Sequence, residues 1–389
     1  MPAFVEPDLI RARFAAALSD MYRAEVPLYA DLLDIVGAVN ARTDPAAPER
    51  IAVERHGAIR LGTAGELAMM ARAFAVLGMA PVGYYDLAVA GVPVHSTAFR
   101  PVTEAALTAN PFRVFCSLLR VELIGDAELR DEVAGILARR AIFSPAAIDL
   151  IAMAERDGGL DENAAQAFVA ALLETFRWHS DATVDAQTYQ RLAAQHRLIA
   201  DIVAFKGPHI NHLTPRTLDI DAVQAEMHAR GIDAKTVIEG PPRRKIPILL
   251  RQTSFKALTE AVRFAGEAGQ HTARFGEIEQ RGAALTPKGR ALYDRLLADN
   301  DPAAFDAFPD DFETLVRDGL IYVRHGAHGP EAITYEDFLP VSAAGIFQSN
   351  LAGEAPRDYG AASSQAAFEA ALGRAVIDPF VLYAAMATA

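Results

Sequence analysis

Cysteine is almost missing: the 389-residue chain has one, Cys116, inside an apolar run. A single thiol makes neither an intramolecular disulfide nor a cysteine-based zinc cluster, so it reads as a small buried hydrophobe in a reducing compartment. Long uncharged apolar runs are missing too, none reaching the ~18 residues of a membrane-spanning helix. The first residues, Met1 to Asp8, lack the basic start and apolar centre of a secretory leader. Basic charge is in deficit, with 37 Lys and Arg against 50 Asp and Glu and a formal charge of −13. A nucleic-acid footprint needs the opposite sign. The expectation is a cytoplasmic protein with no membrane or nucleic-acid partner, and nothing implies a protein partner.

What is present is a large core: 51% of residues are hydrophobic and 22% charged, enough for one compact unit or two closely packed ones. Residues 7–41 read as two amphipathic helices, with Ile10, Phe14, Leu18 and Tyr22 at helical spacing and Pro27 opening the second. The prolines of 42–50 mark a loop. Residues 51–61 read as a strand. Thr63 with Glu66 forms a capping box for a helix ended by Gly78, and three strand-like runs follow, Pro81 to Val89, Val92 to Arg100 and Val114 to Ile124. Residues 125–193 are helical throughout and read as an insertion. The first pattern then recurs. Leu198 to Ile210 reads as a strand, Asp221 with Gln224 as a cap, Gly231 as a helix stop, and Thr236 to Glu239, Ile246 to Gln252 and Thr272 to Ile278 as three strands. The expected fold is therefore α+β, with two β-α-β-β-β modules, 51–124 and 194–282; by resemblance to the vicinal-oxygen-chelate architecture, such modules are expected to form a cupped sheet around one metal. Helices lead in over 1–50, and a helical region over 283–389 carries a loop, 335–350, laid over the site.

Paired β-α-β-β-β modules are the architecture of vicinal-oxygen-chelate enzymes, whose metal ligands lie on the first strand of each module and the last strand of the second. His56, His212 and Glu277 occupy those positions. Two histidines and a carboxylate are also the protein ligands of a non-haem iron facial triad, which leaves positions open for substrate and oxygen. His209 competes with His212, and three residues apart they face opposite sides of a strand; His209 is expected to orient the ligand or the substrate. Glu279 competes with Glu277 on the same face, and Arg274 and Arg281 are candidates to neutralise whichever glutamate is not bound. Arg60 shares a strand face with His56, where a guanidinium can clamp a substrate carboxylate through two parallel hydrogen bonds. The run Arg243-Arg244-Lys245 reads as a solvated turn.

Five stretches, Glu54–Arg60, Gly91–Arg100, His209–Arg216, Arg274–Gly282 and Tyr335–Gly345, closely resemble the bacterial 2-oxoadipate dioxygenase/decarboxylase family, also called 2-hydroxyglutarate synthase. The resemblance runs over nearly the whole chain. It implies a vicinal-oxygen-chelate-like core and an Fe(II) enzyme of lysine breakdown, which converts 2-oxoadipate and O₂ to (R)-2-hydroxyglutarate and CO₂. It puts the metal ligands on His56, His212 and Glu277, and substrate contacts on Arg60 and Val341, with Ser342 beside it. Relative to the family pattern the chain is shorter around 42–50 and 300–330, and neither gap removes a motif residue. Two rivals remain at this level. A zinc hydrolase can use the same two histidines and glutamate, although the H-E-x-x-H signature is absent. A non-catalytic binding module on a decayed scaffold is disfavoured because all three ligands are retained.

Overall fold

The computed structural model describes residues 3–298, 302–326, 329–339 and 364–388. The loop expected over 335–350 is therefore seen only as far as Leu339, and Val341 and Ser342 lie outside the described residues.

Helices α1 (Pro7–Glu25) and α2 (Pro27–Thr43) each open on a proline, whose fixed φ and missing N–H suit a first helical turn. A short helix, α3 (Glu49–Val53), takes the end of the expected 42–50 loop and the first residues of the strand expected over 51–61. Strand β1 (Arg55–Leu61) leads to α4 (Ala64–Val76), which starts at a complete capping box between Thr63 and Glu66. Strands β2 (Ala80–Asp86), β3 (Val94–Arg100) and β4 (Arg113–Leu119) follow, with a short helix α5 (Glu104–Ala109) between the last two. The stretch expected to be helical throughout comprises α6 (Ala127–Ala138), α7 (Pro145–Asp157), α8 (Glu162–Leu173) and α9 (Ala186–Gln195), and before α9 it also holds a two-residue strand, β5 (Asp181–Ala182).

The second half departs from the sequence reading at four points. Leu198 to Ile210 is not a strand: helix α10 (Arg197–Val203) takes its first part, and irregular backbone leads to β6 (His212–Pro215). Every residue from Leu198 to Val203 is buried, so no polar stripe separates this helix from a buried strand. His196 caps it, Nδ1 accepting from the Leu198 N–H at 3.1 Å. The cap of α11 (Ile220–Ala229) is Asp219 rather than Asp221, which instead pairs with Arg251 at 2.7 Å. Thr236 to Glu239 supplies only a bridge, Glu239 to Gln252, beside β7 (Leu250–Ser254). The run expected over Thr272 to Ile278 divides, because a hairpin of β8 (Thr259–Phe264) and β9 (Glu267–Thr272) is inserted and β10 (Glu277–Arg281) begins only at Glu277. The rest comprises α12 (Pro287–Ala298), α13 (Phe312–Arg317), the hairpin β11 (Val323–Gly326) and β12 (Gly329–Ala332), α14 (Gln365–Leu372) and α15 (Pro379–Thr388). No helix among the described residues is long and apolar enough to cross a membrane.

Five strands form a sheet in the order β2-β3-β4-β1-β6, with β1 parallel to β4 and antiparallel to β6. A parallel bridge from Arg216 to Glu279 carries the array on to β10, which pairs antiparallel with β7. The two halves thus repeat one plan, first and last strands parallel, and meet where β6 lies against β1. The alternation of strand side chains divides the faces. Ile59, Leu61, Phe99, Val114 and Cys116 pack in one apolar cluster with Phe14, Leu32 and Phe74 from α1, α2 and α4. The other face carries His56, Arg60, Arg113, Ser117, Glu277 and Glu279, all buried. A core helix layer on one side and a buried polar floor on the other is the arrangement that positions the site.

Gly282, directly after β10, has no room for a side chain: an added Cβ would stand 2.1 Å from the Pro247 carbonyl carbon and 2.3 Å from the Ile248 nitrogen. Gly282→Ala should lower the unfolding free energy by ~1–3 kcal/mol in urea titrations. Gly37→Ala, on the exposed side of α2 with nothing within 4 Å of the new Cβ, should raise it by ~0.5–1 kcal/mol.

Candidate metal centre

His212 pairs with Ala58 across β1 and β6, and strand alternation puts it on the face shared by Ala58 and His56. Glu277 opens β10 on the same floor. His212 Nε2 lies 3.3 Å from Glu277 Oε2, and His56 Nε2 lies 3.8 Å from Glu277 Oε1. The three side chains are 1%, 4% and 0% exposed for His56, His212 and Glu277, and one donor atom from each lies within 4.8 Å of the others. Donors that each stand ~2.1 Å from one ion are themselves ~3–4 Å apart. The spacing fits a shared cation.

The electrostatics fit as well. Burial pushes His212 well below the usual histidine range, with the nearby His56 and Arg60 charges adding to it, and lowers His56. Both imidazoles are held neutral, the form that binds a metal. Burial drives the Glu277 carboxyl well above its ordinary range, and the charge of Glu279 adds to that. Gln252 Nε2 donates to Glu277 Oε1. Among the described residues Glu277 Oε2 has no hydrogen-bond donor, and His212 Nδ1 has no partner. A buried carboxylate oxygen left without a donor is costly unless a cation faces it. The donor set present therefore fits a divalent ion, and the protein alone does not complete it.

The imidazoles are fixed from behind. His56 Nδ1 lies 2.9 Å from Glu279 Oε2, so an Nδ1–H proton leaves Nε2 directed at the site. Glu279 in turn accepts from Arg281 Nε and Nη2, both at 2.8 Å. Burial opposes its ionisation, yet Arg281, His56 and Arg113 hold it below the usual carboxylate range. Phe338 stands edge-on to His56 at 5.0 Å, and Phe275 packs on His212 at 4.7 Å. Glu279 is thus engaged by His56 and Arg281. Arg274 plays no part here; it is paired with Glu25 and Glu260.

Deeper still, fully buried Glu54 forms ion pairs with Arg113 at 2.9 Å, Arg216 at 3.0 Å and Arg50 at 3.3 Å. Arg113 also meets Glu336, and Arg281 Nη1 donates to the carbonyls of Tyr335 and Asp337 at 3.0 Å. The network ties the start of the 335–350 segment to the sheet.

The structure does not bring the other two histidine-loop and strand candidates to the ion position. Arg60, 2% exposed, extends Nη1 to Asp201 Oδ2. His209 stands 3.2 Å from Asp201 Oδ1 in a second buried cluster with His271. Arg243 is exposed, while Arg244 packs over Phe305 and Phe308. Sequence reasoning passed over Gln252, Asp201, Asn211 and His271. Asp201 did leave a signal: it is the one charge in Leu198-Ile199-Ala200-Asp201-Ile202-Val203, and a charge in such a run needs a buried partner.

Breaking a buried ion pair leaves the partner charge uncompensated. Glu54→Gln should therefore cost ~3–5 kcal/mol in unfolding free energy. Asp157→Asn, which removes an exposed pair with Arg156 at a similar 2.8 Å, should leave the urea midpoint unchanged.

A family profile described as 2-oxoadipate dioxygenase/decarboxylase matches residues 14–350. A Pseudomonas putida protein of that name is 55% identical, over 99% of this chain and 96% of its own length. A crystal structure of the hydroxyglutarate synthase from Pseudomonas putida in complex with 2-oxoadipate superposes with a TM-score of 0.90 at 52% identity, covering 99% of this chain and 97% of that one. A putative glyoxalase superfamily protein from Ralstonia eutropha shares the fold at 23% identity, with a TM-score of 0.51 over 72% of this chain and 85% of its own.

Proposed function

Because the chain belongs to the 2-oxoadipate dioxygenase/decarboxylase family of enzymes, we propose that it converts 2-oxoadipate and O₂ to (R)-2-hydroxyglutarate and CO₂ in lysine breakdown, using Fe(II) held by His56, His212 and Glu277. The observation that carries this reading is the convergence of those three buried side chains on a floor they share with Arg60. Atoms balance: loss of C1 as CO₂ leaves a five-carbon diacid that has gained both oxygen atoms, one in the new carboxylate and one in the hydroxyl. Bound iron supplies a Lewis-acidic site for the 2-oxo acid and the redox chemistry of oxygen activation.

The protein's part is to hold, orient and exclude water. His56, fixed by Glu279, and His212, backed by Phe275, present neutral nitrogens, and Glu277 presents the charge. Arg60 stands four residues further along β1, ~13 Å from His56 at ~3.3 Å per residue, with only the methyl of Ala58 between them on that face. A long side chain there reaches back to the distal carboxylate of a six-carbon diacid and fixes which end faces the ion. Ser117, paired with Arg60 across β1 and β4, and Ser96, bonded to it at 2.8 Å, keep that end of the floor polar. Val341 and Ser342 complete the substrate contacts in this reading, and His209 acts through the groups around Arg60.

Protein loaded with iron without oxygen, then given 2-oxoadipate and oxygen, should consume O₂ and release CO₂ in equal amounts. His56→Ala, His212→Ala or Glu277→Ala should each abolish iron binding or turnover with the fold retained, whereas His209→Ala should keep the metal. Loss of iron in His209→Ala with retention in His212→Ala would reverse the ligand assignment, and a protein that is isolated with zinc and still takes up no oxygen after exchange to iron would favour hydrolysis.

Arg60→Lys keeps the charge and loses the planar fork. It should bind iron normally and lose roughly ten- to hundredfold in kcat/KM for 2-oxoadipate, with much less effect on a 2-oxo acid lacking the distal carboxylate. Equal damage to both substrates would assign Arg60 to support of the metal site instead.

A further inference from the structure

Beside the candidate metal centre lies a second buried cluster whose members come from five separate segments. Asp201 sits on α10, His271 on β9, Tyr189 on α9, Arg60 on β1, and His209 and Asn211 on the backbone entering β6. Asp201, His209 and His271 are each 3% exposed, Arg60 2% and Asn211 1%. Asp201 Oδ1 accepts from His271 Nε2 at 2.8 Å and lies 3.2 Å from His209 Nε2. Oδ2 accepts from Arg60 Nη1, and from Asn211 Nδ2 at 3.4 Å. Tyr189 O–H lies 2.8 Å from His271 Nδ1, and Asn211 Nδ2 lies 3.1 Å from His209 Nε2. Trp178 stacks on His271 with 8° between the planes and stands edge-on to His209 at 4.6 Å.

Taken alone, one carboxylate and two imidazoles suggest another metal position. The proton arrangement argues otherwise. With Tyr189 donating to His271 Nδ1, the His271 proton is on Nε2 and points at Asp201. With Asn211 donating to His209 Nε2, that nitrogen's lone pair is also in use. Neither imidazole offers a directed lone pair, and the guanidinium of Arg60 already supplies the countercharge of Asp201. Burial resists ionisation of Asp201, but the charge of Arg60 and the hydrogen bond from His271 hold its carboxyl well below the ordinary range. The cluster is a closed chain, Tyr189 to His271 to Asp201 to Arg60, with no charge left over for a dication.

The geometry points to Asp201, oriented by His271 and Tyr189, as a positioning residue that sets the plane of the Arg60 guanidinium and so makes the enzyme select 2-oxo acids with a second, distal carboxylate. This rests on the reading of Arg60 given above. A guanidinium is rigid and planar, so fixing Nη1 fixes the whole fork; Asp201 is fixed because His271 on the inserted hairpin and Asn211 at the sheet each hold one of its oxygens. A fork that is held before the ligand arrives loses less freedom on binding.

The test uses the full-length, iron-loaded protein with 2-oxoadipate and 2-oxohexanoate, equal in chain length and differing in the distal carboxylate. Anaerobic binding is measured by calorimetry, and turnover by oxygen uptake. Asp201→Asn should retain one iron per chain and weaken 2-oxoadipate binding roughly tenfold relative to 2-oxohexanoate, the loss appearing in KM more than in kcat. Tyr189→Phe removes only a hydroxyl from a half-buried site and should shift the same ratio in the same direction by a smaller factor, which keeps the test decisive if Asp201→Asn does not fold. An unchanged ratio in either folded variant overturns the proposal, as does a wild type with no preference for the diacid or with a second metal that Asp201→Asn loses. A wild type that binds the diacid preferentially but takes up no oxygen would instead overturn the proposed reaction and leave the positioning role standing.

Discussion

The pairing of β1 with β6 is the contact on which the rest depends. It joins the two halves of the sheet, and its register decides which side chains meet. Opposing Ala58 to His212 puts the second imidazole on the face of the first. A slip of one residue would turn the His212 ring into the apolar layer beneath the helices, because strand side chains alternate faces. Two features hold the register. Ile210 lies against Gly57, where an added Cβ would stand 2.5 Å from the Ile210 Cδ1, and Glu54 grips Arg113 and Arg216 on either side of β1. Apolar packing from one face and ion pairing from the other therefore specify the same alignment.

A second constraint is the charge carried by the floor. Burying this many ionised groups is costly unless each has its counterpart, and most of them do. Glu54 and Glu336 meet Arg50 and Arg113, Glu279 meets Arg281, Asp337 meets Arg100, and Asp201 meets Arg60. Glu277 differs: among the described residues its hydrogen-bond donor is the neutral amide of Gln252, the imidazoles beside it are held uncharged, and the charge of Lys235 does not outweigh its burial. The imbalance is local and lies at the point where two strands from different halves converge.

The sequence made parts of this legible for physical reasons that can be stated residue by residue. His56, His212 and Glu277 could be nominated because element order carries the topology, and topology decided which strands would be neighbours. The α+β class and the repeated plan followed from the same order. Where periodicity is silent the reading went astray. The segment Leu198 to Val203 is buried on all sides, so a helix there has no polar face to betray it. The hairpin of β8 and β9 was missed because its strands are short and half exposed, with no sustained apolar alternation. Mistaking α10 for a strand also hid Asp201, since the partner of Arg60 lies on a helix far away in sequence. Glu279 was seen as a rival to Glu277, and the structure gives it a different occupation, holding His56.

The groups around the two ends of the floor differ in origin. His56, His212, Glu277 and Gln252 all lie on paired strands of the repeated core. The collar around Arg60 is drawn from elements outside those paired strands: Tyr189 from α9, Asp201 from α10 and His271 from the hairpin of β8 and β9. Such a division lets each end of the floor be perturbed without the other: strand register fixes the first, and the packing of helices and a hairpin fixes the second.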